Sequence, residues 1–299
     1  MKLARVQLRD GSVVVASVSD DGFRPVADDG PGVLLELLIE RPAASGRRLA
    51  PAEVRVLCPV LDPPSIRDFM IFEDHVVNAR HGTGTTVPDA WYAAPVFYFT
   101  NPACLHGPDD SVAVPRGSRM LDFELEVACL IGRDARDLDP ADPASCDAIA
   151  GFMLMNDWSA RDLQMAEMGG GLGPAKGKDF ATSLGPWVVT PDELQPATSG
   201  RWECPLQVFV NGRRAGGGNL KTAHFTWSQV LGQASANTRV RAGDVIGSGT
   251  VGTGCLLELR ALGDKAANPW LRAGDTVMLD GGPLGQLANP IVDPLVTDA

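Results

Sequence analysis

The sequence predicts a mainly β protein of the α+β class, with a small N-terminal β unit followed by a larger β unit. Residues 1–60 contain short alternating apolar segments, and two prolines within 61–65 interrupt any regular element. Residues 95–299 consist mostly of short apolar runs between Gly, Pro and Asp turns. Such alternation is typical of strands, and frequent turn residues keep each strand short. We therefore place a domain boundary near residue 60.

The N-terminal unit begins with a predicted hairpin. Residues 3–18, LARVQLRDGSVVVASV, form two alternating runs around Asp10-Gly11, and Asp-Gly is a strong signal for a tight turn. The segment GVLLELLIE at 32–40 has apolar residues at helical spacing and predicts a short helix. AEVRVLCPV at 52–60 alternates again and predicts another strand.

The segment after the boundary carries a candidate histidine. IRDFMIFEDHVVNAR at 66–80 has apolar residues close to a 3.6-residue period, so we predict a helix or helical loop. A lone histidine is more often structural or solvated than catalytic. Asp68, seven residues before His75 on the same segment, is what singles this histidine out.

Three acidic residues interrupt the apolar run LDFELEVACLIG at 121–132. Asp122, Glu124 and Glu126 stand at every second position, so on a strand they share one face while the apolar residues face a core. One interpretation is an acidic face open to solvent. The other is a set of carboxylates held together by a hard cation such as Mg²⁺ or Ca²⁺, which prefers carboxylate oxygens.

The polar segment NDWSARDLQ at 156–164 follows the apolar run AIAGFMLM. At the end of a buried strand, Asp157 is a candidate oxygen ligand, Arg161 an anion clamp and Gln164 a hydrogen-bond donor. On a helix Arg161 and Gln164 fall on one side. The alternative is an N-capping aspartate followed by a surface arginine.

Two glycine-rich segments complete the candidates. GPAKGKDFATSLGPW at 173–187 places Lys178 and Thr182 in a loop that resembles an anion cradle, although it is not a Walker A sequence. GDVIGSGTVGTGCLLEL at 243–259 contains a formal GxGxxG and the candidate substrate contact Thr250. A dinucleotide site needs a helix after the glycines. CLLEL alternates like a strand, so we reject that site.

The composition argues against several function classes. With 26 Lys and Arg against 37 Asp and Glu, the net charge is −11, which disfavours nucleic-acid and membrane partners. No pair of the six cysteines has CxxC spacing, which argues against a zinc ribbon and is typical of reduced thiols in the cytoplasm. We also expect no signal peptide and no membrane-spanning helix.

Together, these segments resemble the fumarylacetoacetate hydrolase family. The shared order is an Asp-x6-His segment, LDFELEVA, NDWSARDLQ, GKDFATSLGPW and GSGTVGTGCLLEL, covering about residues 60–299. The central motifs are highly specific. The resemblance implies a small N-terminal β domain at 1–60, a mixed β-roll catalytic domain at 61–299 and a homodimer.

The resemblance also implies a metal site and a catalytic pair. Mg²⁺ or Ca²⁺, with Mn²⁺ as a further candidate, would be held by four carboxylates: Asp68, Glu124, Glu126 and Asp157. Asp122 matches no ligand position, so we expect it behind the ligands or in solvent. Removing Glu124 or Glu126 should abolish metal-dependent activity, and removing Asp122 should reduce that activity much less. The implied catalytic residues are His75 as general base, Glu258 as the acid that orients it, and Lys178 as a carbanion stabiliser; the implied substrate contacts are Arg161, Gln164, Thr182 and Thr250.

Some positions depart from the family pattern. Met70 stands where the larger hydrolases have a substrate-facing tyrosine, so the substrate differs from theirs. Smaller members often carry a glutamate three residues after the histidine, where this chain has Asn78. This favours Glu258 as the partner of His75. Glu73 is the alternative, although residues i and i+2 do not face each other on a helix.

The expected activity is metal-dependent hydrolysis of a C–C bond in an acylpyruvate-like 2-oxo acid or another β-dicarbonyl compound, with water activated by His75. The alternatives on the same enolate chemistry are decarboxylation, isomerisation and hydration of a related 2-oxo acid. A non-catalytic small-molecule binder on the same fold is a further alternative. The carboxylates, His75 and Lys178 together argue against that last alternative.

Overall fold

The computed structural model describes residues 1–44, 46–81, 84–198 and 200–294. The described chain is mainly β with few helices, which confirms the predicted fold class. The strands are β1 Lys2–Leu8, β2 Val13–Ser19, β3 Gly22–Asp28, β4 Val54–Val56, β5 Ile66–Phe69, β6 Phe97–Thr100, β7 Leu105–His106, β8 Val112–Ala113, β9 Leu121–Asp122, β10 Leu125–Ile131, β11 Ala135–Arg136, β12 Ile149–Asp157, β13 Ser159–Ala160, β14 Thr182–Val189, β15 Gln195–Thr198, β16 Arg201–Glu203, β17 Pro205–Val210, β18 Arg213–Asn219, β19 Arg239–Val240, β20 Val245–Gly247, β21 Thr276–Asp280 and β22 Gln286–Val292. The helices are α1 Val33–Glu40, α2 Glu73–His81, α3 Asp89–Ala93, α4 Arg161–Gly169, α5 Trp227–Ser235 and α6 Leu256–Leu262. None of these helices is long and apolar enough to cross a membrane.

A large mixed sheet forms the centre of the described structure. Its strand order is β3-β2-β1-β14-β12-β10-β20-β5-β6, with β4 added beside β1 and β7 beside β14. A second sheet has the order β18-β17-β21-β22-β8. Apolar side chains of β10 and β12 share one continuous core with those of β17, β21 and β22, so the two sheets enclose the main hydrophobic core.

The N-terminal strands continue the large sheet. The predicted hairpin is confirmed, because β1 and β2 pair antiparallel around Asp10-Gly11. The predicted helix at 32–40 is confirmed as α1. Strand β1 pairs with β14, so hydrogen bonding runs without a break from the N-terminal unit into the rest of the sheet. The division into domains at residue 60 stays a prediction.

Strand β10 is buried on both faces. Val127 and Cys129 face the core between the two sheets. Ala128 and Leu130 face a second core that contains apolar residues of α1 and β1. Glu126 alternates in register with that second set, so its face is covered by protein rather than by solvent. The interpretation of a solvated acidic face is therefore wrong.

Two predicted elements are wrong in type. Residues 66–69 form strand β5 rather than the start of a helix, because this segment lies between β20 and β6 and is buried throughout. CLLEL enters helix α6 rather than a strand. The first backbone amides of α6, at Leu256 and Leu257, donate to the carboxylate of Asp122, far away in sequence. Such a distant cap leaves no signal in the local pattern.

Candidate active site

Four buried carboxylates meet where the central strands of the large sheet lie side by side. Gly247 of β20 is paired with Ala128 of β10 and with Asp68 of β5, which brings Asp68 towards the acidic strand. Each of the four is at most 5% exposed, and one carboxylate oxygen from each lies within 4.8 Å of the others. We call this set the carboxylate cluster: Asp68, Glu124, Glu126 and Asp157.

The carboxylate cluster has the donor set of a divalent-cation site. Asp68 Oδ1, Glu126 Oε1 and Asp157 Oδ1 are buried without a hydrogen-bond partner. Buried polar atoms normally find partners, so three such oxygens in one place indicate a missing ligand. Oxygen-only donors with several negative charges suit Mg²⁺, Ca²⁺ or Mn²⁺ rather than a soft metal. The residues therefore fit the implied metal.

Electrostatics without an ion also indicate a missing positive charge. Burial, followed by repulsion from neighbouring carboxylates, raises the pKa of Asp68 and of Glu126 well above the usual values. Glu124 differs, because Lys178 and Arg161 outweigh the effect of burial and hold the pKa of its carboxyl group below the usual value. The cluster thus has one stably ionised end and one end short of positive charge.

Two buried cations bind the ionised end. Lys178 Nζ donates to Glu124 Oε2 at 2.7 Å and also to Asp157 Oδ2. Arg161 Nη2 donates to Glu124 Oε1 at 2.7 Å. Lys178 and Arg161 are each 3% exposed, so these contacts are little screened by water. Lys178 reaches the carboxylates directly, which sequence reasoning did not predict.

Arg161 also connects the carboxylate cluster to helix α6. Its Nε donates to Asp122 Oδ2 at 2.8 Å, and Asp122 in turn accepts from the backbone amides of Leu256 and Leu257. Asp122 is completely buried, so the alternative that it is solvated is wrong. Arg161 thus connects Asp122 with Glu124, and Asp122 caps the N-terminus of the helix that carries Glu258.

A histidine–glutamate pair lies next to the carboxylate cluster. His75 Nδ1 is 2.7 Å from Glu258 Oε1, and both side chains are buried. Glu258 Oε2 accepts from Asn78 Nδ2 at 2.8 Å and from the Thr253 amide at 2.7 Å. A backbone bridge between Glu124 and Cys255 brings this pair beside the carboxylates.

The position of Glu73 excludes it as the partner of His75 in this structure. Glu73 Oε1 instead accepts from the Tyr92 hydroxyl at 2.6 Å. The carboxylate of Glu258 therefore holds the proton on Nδ1 of His75, which leaves Nε2 as the basic nitrogen. This is the tautomer that a general base requires.

The remaining predicted contacts lie around the carboxylate cluster. Gln164 Oε1 accepts from Arg161 Nη1 at 3.1 Å. Thr182 is 1% exposed and is paired with Asp157 across β14 and β12. Thr250 is 2% exposed and follows Gly249, whose amide donates to Glu126. Their roles as substrate contacts stay predictions.

The GxGxxG glycines pack closely against neighbouring protein atoms. A Cβ atom at Gly247 would lie 2.5 Å from Asp68 Oδ1, and one at Gly249 would lie 2.2 Å from the Phe69 carbonyl oxygen. Glycine is required there so that the loop can approach β5. The predicted strand after these glycines, on which the rejection of a dinucleotide site rests, is wrong, because CLLEL enters helix α6.

Sequence reasoning missed Tyr98. Its hydroxyl donates to Asp157 Oδ2 at 2.5 Å, and burial raises the pKa of the phenol above its usual value. Tyr98 lies on β6, directly opposite Asp68 of β5. The only signal in the sequence is that tyrosine is rare, because the chain contains two tyrosines in all.

Comparison with known proteins places this geometry in a family. Residues 65–292 match the family model described as fumarylacetoacetate (FAA) hydrolase, C-terminal. A curated Burkholderia multivorans protein that carries only a provisional hydrolase name is 34% identical over 179 residues, which is 60% of this chain and 58% of that protein. The chain thus aligns with little more than half the length of that relative.

Two solved structures are similar over almost their whole length. Fumarylacetoacetate hydrolase from Exiguobacterium antarcticum is 25% identical, with a TM-score of 0.76 over 98% of this chain and 99% of that one. 5-Carboxymethyl-2-hydroxymuconate delta-isomerase from Mycobacterium smegmatis is 26% identical, with a TM-score of 0.72 over 98% of this chain and 100% of that one. The fold is therefore shared by proteins named as hydrolases and as isomerases.

Proposed function

Because the chain belongs to the fumarylacetoacetate hydrolase family, we propose that it is a divalent-metal-dependent hydrolase that cleaves a C–C bond in an acylpyruvate-like or other β-dicarbonyl substrate. The observation that carries the proposal is the His75–Glu258 pair beside the carboxylate cluster. A base next to a site for a Lewis acid is the combination that water addition to a carbonyl group needs.

The proposed reaction begins with water. The carboxylate cluster would hold a divalent ion, which when bound would supply polarisation of the substrate carbonyl groups. His75 takes a proton from water at Nε2, because Glu258 keeps the other proton on Nδ1. The water oxygen then adds to the carbon of the acyl carbonyl group.

Bond cleavage follows in the substrate. The bond between the acyl carbon and the neighbouring methylene carbon breaks, and its electron pair passes to the pyruvate fragment as an enolate. Lys178 and Gln164 are proposed to stabilise the negative charge of that fragment. The protonated His75 returns its proton to the enolate carbon. One water is consumed, and a carboxylic acid and pyruvate are formed.

The substrate contacts are proposed from the same geometry. Arg161 is already bonded to Asp122, Glu124 and Gln164, so we propose that it acts by holding Gln164 towards the substrate. Thr182 and Thr250 are proposed as hydroxyl contacts on either side of the carboxylate cluster. The homodimer and the cytoplasmic location stay predictions.

A panel of acylpyruvates tests the proposed function. Loss of the enol absorbance is followed with Mg²⁺, Ca²⁺ or Mn²⁺ and again with EDTA, and products are identified by NMR. We expect metal-dependent formation of pyruvate and a carboxylic acid, a large loss in His75→Ala, and little change in His81→Ala, an exposed histidine on the same helix. Metal-loaded protein that leaves the whole panel unchanged would contradict the hydrolase.

A second candidate is an isomerase acting on a related 2-oxo acid. The similarity to the isomerase from M. smegmatis favours it. In that reaction His75 would move a proton between two carbons of the substrate, and no C–C bond would break. NMR in D₂O distinguishes the two, because isomerisation introduces deuterium without producing pyruvate. A decarboxylase would release CO₂, and its activity need not be lost in His75→Ala. A hydratase would add water to the substrate without cleaving a C–C bond.

A further inference from the structure

Strand β6 reaches the candidate metal site through one side chain. Along the large sheet, β10, β20 and β5 separate β12 from β6. Tyr98 of β6 nevertheless donates to Asp157 at the end of β12. The sheet must therefore curve so that its β6 end closes over the carboxylates. Tyr98 connects β6 to β12 across this curved part of the sheet.

The two oxygens of Asp157 have different surroundings. Oδ2 accepts from both the Tyr98 hydroxyl and Lys178 Nζ. Oδ1 is buried and has no hydrogen-bond partner. A carboxylate held through one oxygen by two donors cannot rotate freely, so the free oxygen keeps its direction.

Tyr98 also constrains the other side of the cluster. It is the cross-strand partner of Asp68 in the β5–β6 ladder, and Asp68 Oδ1 is a second unpartnered oxygen. The ring lies near Lys178, with Nζ 5.9 Å from the ring centroid. Tyr98 therefore bonds to Asp157, is paired with Asp68 across the strands and lies near Lys178.

We propose that Tyr98 is a positioning residue for the divalent cation: its hydroxyl holds Asp157 Oδ2 so that Oδ1 remains directed at the ion. The inference rests on the proposed metal site, but not on the identity of the substrate. Outer partners of metal-ligating side chains typically contribute about 10- to 100-fold in metal affinity. Tyr98→Phe should weaken metal binding by that factor, because the ring stays and only the hydroxyl is lost.

Metal binding is measured directly on the full chain without substrate. Isothermal titration with Mn²⁺ gives the Kd of wild type, Tyr98→Phe and Tyr92→Phe. Tyr92 is the matched control, because it is the other tyrosine and its hydroxyl bonds to Glu73, away from the cluster. We expect a Kd about 10- to 100-fold weaker in Tyr98→Phe alone. An unchanged Kd, or no Mn²⁺ binding by wild type, overturns the inference.

A spectroscopic signature separates positioning from a general loss of stability. With fluorotyrosine incorporated, the chain has two ¹⁹F resonances, and Tyr92→Phe assigns them. Saturating Mg²⁺ should shift the Tyr98 resonance and leave that of Tyr92 in place. A Tyr98 signal that does not respond to bound Mg²⁺ overturns the inference, even if Tyr98→Phe fails to fold. Protein that binds Mn²⁺ but hydrolyses no acylpyruvate would contradict the proposed hydrolase activity and leave the proposed role of Tyr98 intact.

Discussion

His75 Nδ1 lies 2.7 Å from Glu258 Oε1, although 183 positions separate the two residues in the chain. The contact joins α2 to α6 and buries the carboxylate completely. Glu258 accepts further bonds from Asn78, Thr253 and Cys255, so four contacts set its orientation. These contacts hold the Glu258 carboxylate towards His75.

Glu258→Gln should lower kcat/KM by about 10²- to 10⁴-fold. An amide at this position can donate to Nδ1 and so place the imidazole proton on Nε2, the nitrogen needed as base. The Kd for Mn²⁺ should stay unchanged, because Glu258 lies outside the carboxylate cluster. Kinetics and titration on the same preparation check both parts. A variant that loses metal affinity as much as turnover would assign Glu258 to the metal site instead.

Glu126→Gln should weaken the affinity for divalent cations by at least about 10-fold. The amide oxygen can still accept from Gly249, while the amide nitrogen replaces the free oxygen of Glu126 with a donor. Wild type should gain thermal stability on adding Mg²⁺, and the variant should gain little. Glu203→Gln is the control, since Glu203 forms an ion pair with Lys221 at the surface. Equal Mg²⁺ responses in both variants would contradict the site.

Asp122→Asn should destabilise the protein by about 3 kcal/mol or more, while the expectation that its removal costs much less metal-dependent activity than that of Glu124 or Glu126 stays a prediction. The change removes the buried charge that faces Arg161 and weakens the cap of α6. Urea unfolding followed by tryptophan fluorescence measures the loss. Asp137→Asn, at an exposed ion pair with Arg136, should change stability much less. Similar values for the two variants would show that the Asp122 network adds little.

His106 should make the folded protein less stable as the pH falls below about 6.5. Burial lowers the pKa of His106, so the unfolded chain binds the proton more readily than the folded chain does. The stability contributed by neutral His106 is therefore fully present above the pKa of the unfolded chain. It is lost as the pH falls below that pKa towards the lower pKa of the folded chain. Melting temperatures from pH 8 to pH 5 should drop more steeply for wild type than for His106→Gln. Parallel curves would assign the acid sensitivity to other groups.

The fold class, the hairpin at Asp10-Gly11, helix α1 and the family could all be predicted from the amino-acid sequence. These features depend on local periodicity, turn residues and contiguous motifs, all of which can be read within a few residues of chain. The resemblance also selected the residues that the structure brings together, because family motifs record positions that are adjacent in space. Apart from the His75–Glu258 pair, it did not supply their hydrogen bonding.

The partners of the other buried charged groups could be identified from the tertiary structure and not from the sequence. Asp122 caps α6 and bonds to Arg161, and Tyr98 reaches Asp157 from strand β6 of the curved sheet. These contacts join segments that no local pattern connects. The type of CLLEL was decided in the same way, by a cap supplied from residue 122. Burial then sets the chemistry, since charges without water must find partners within the fold or in a bound ion.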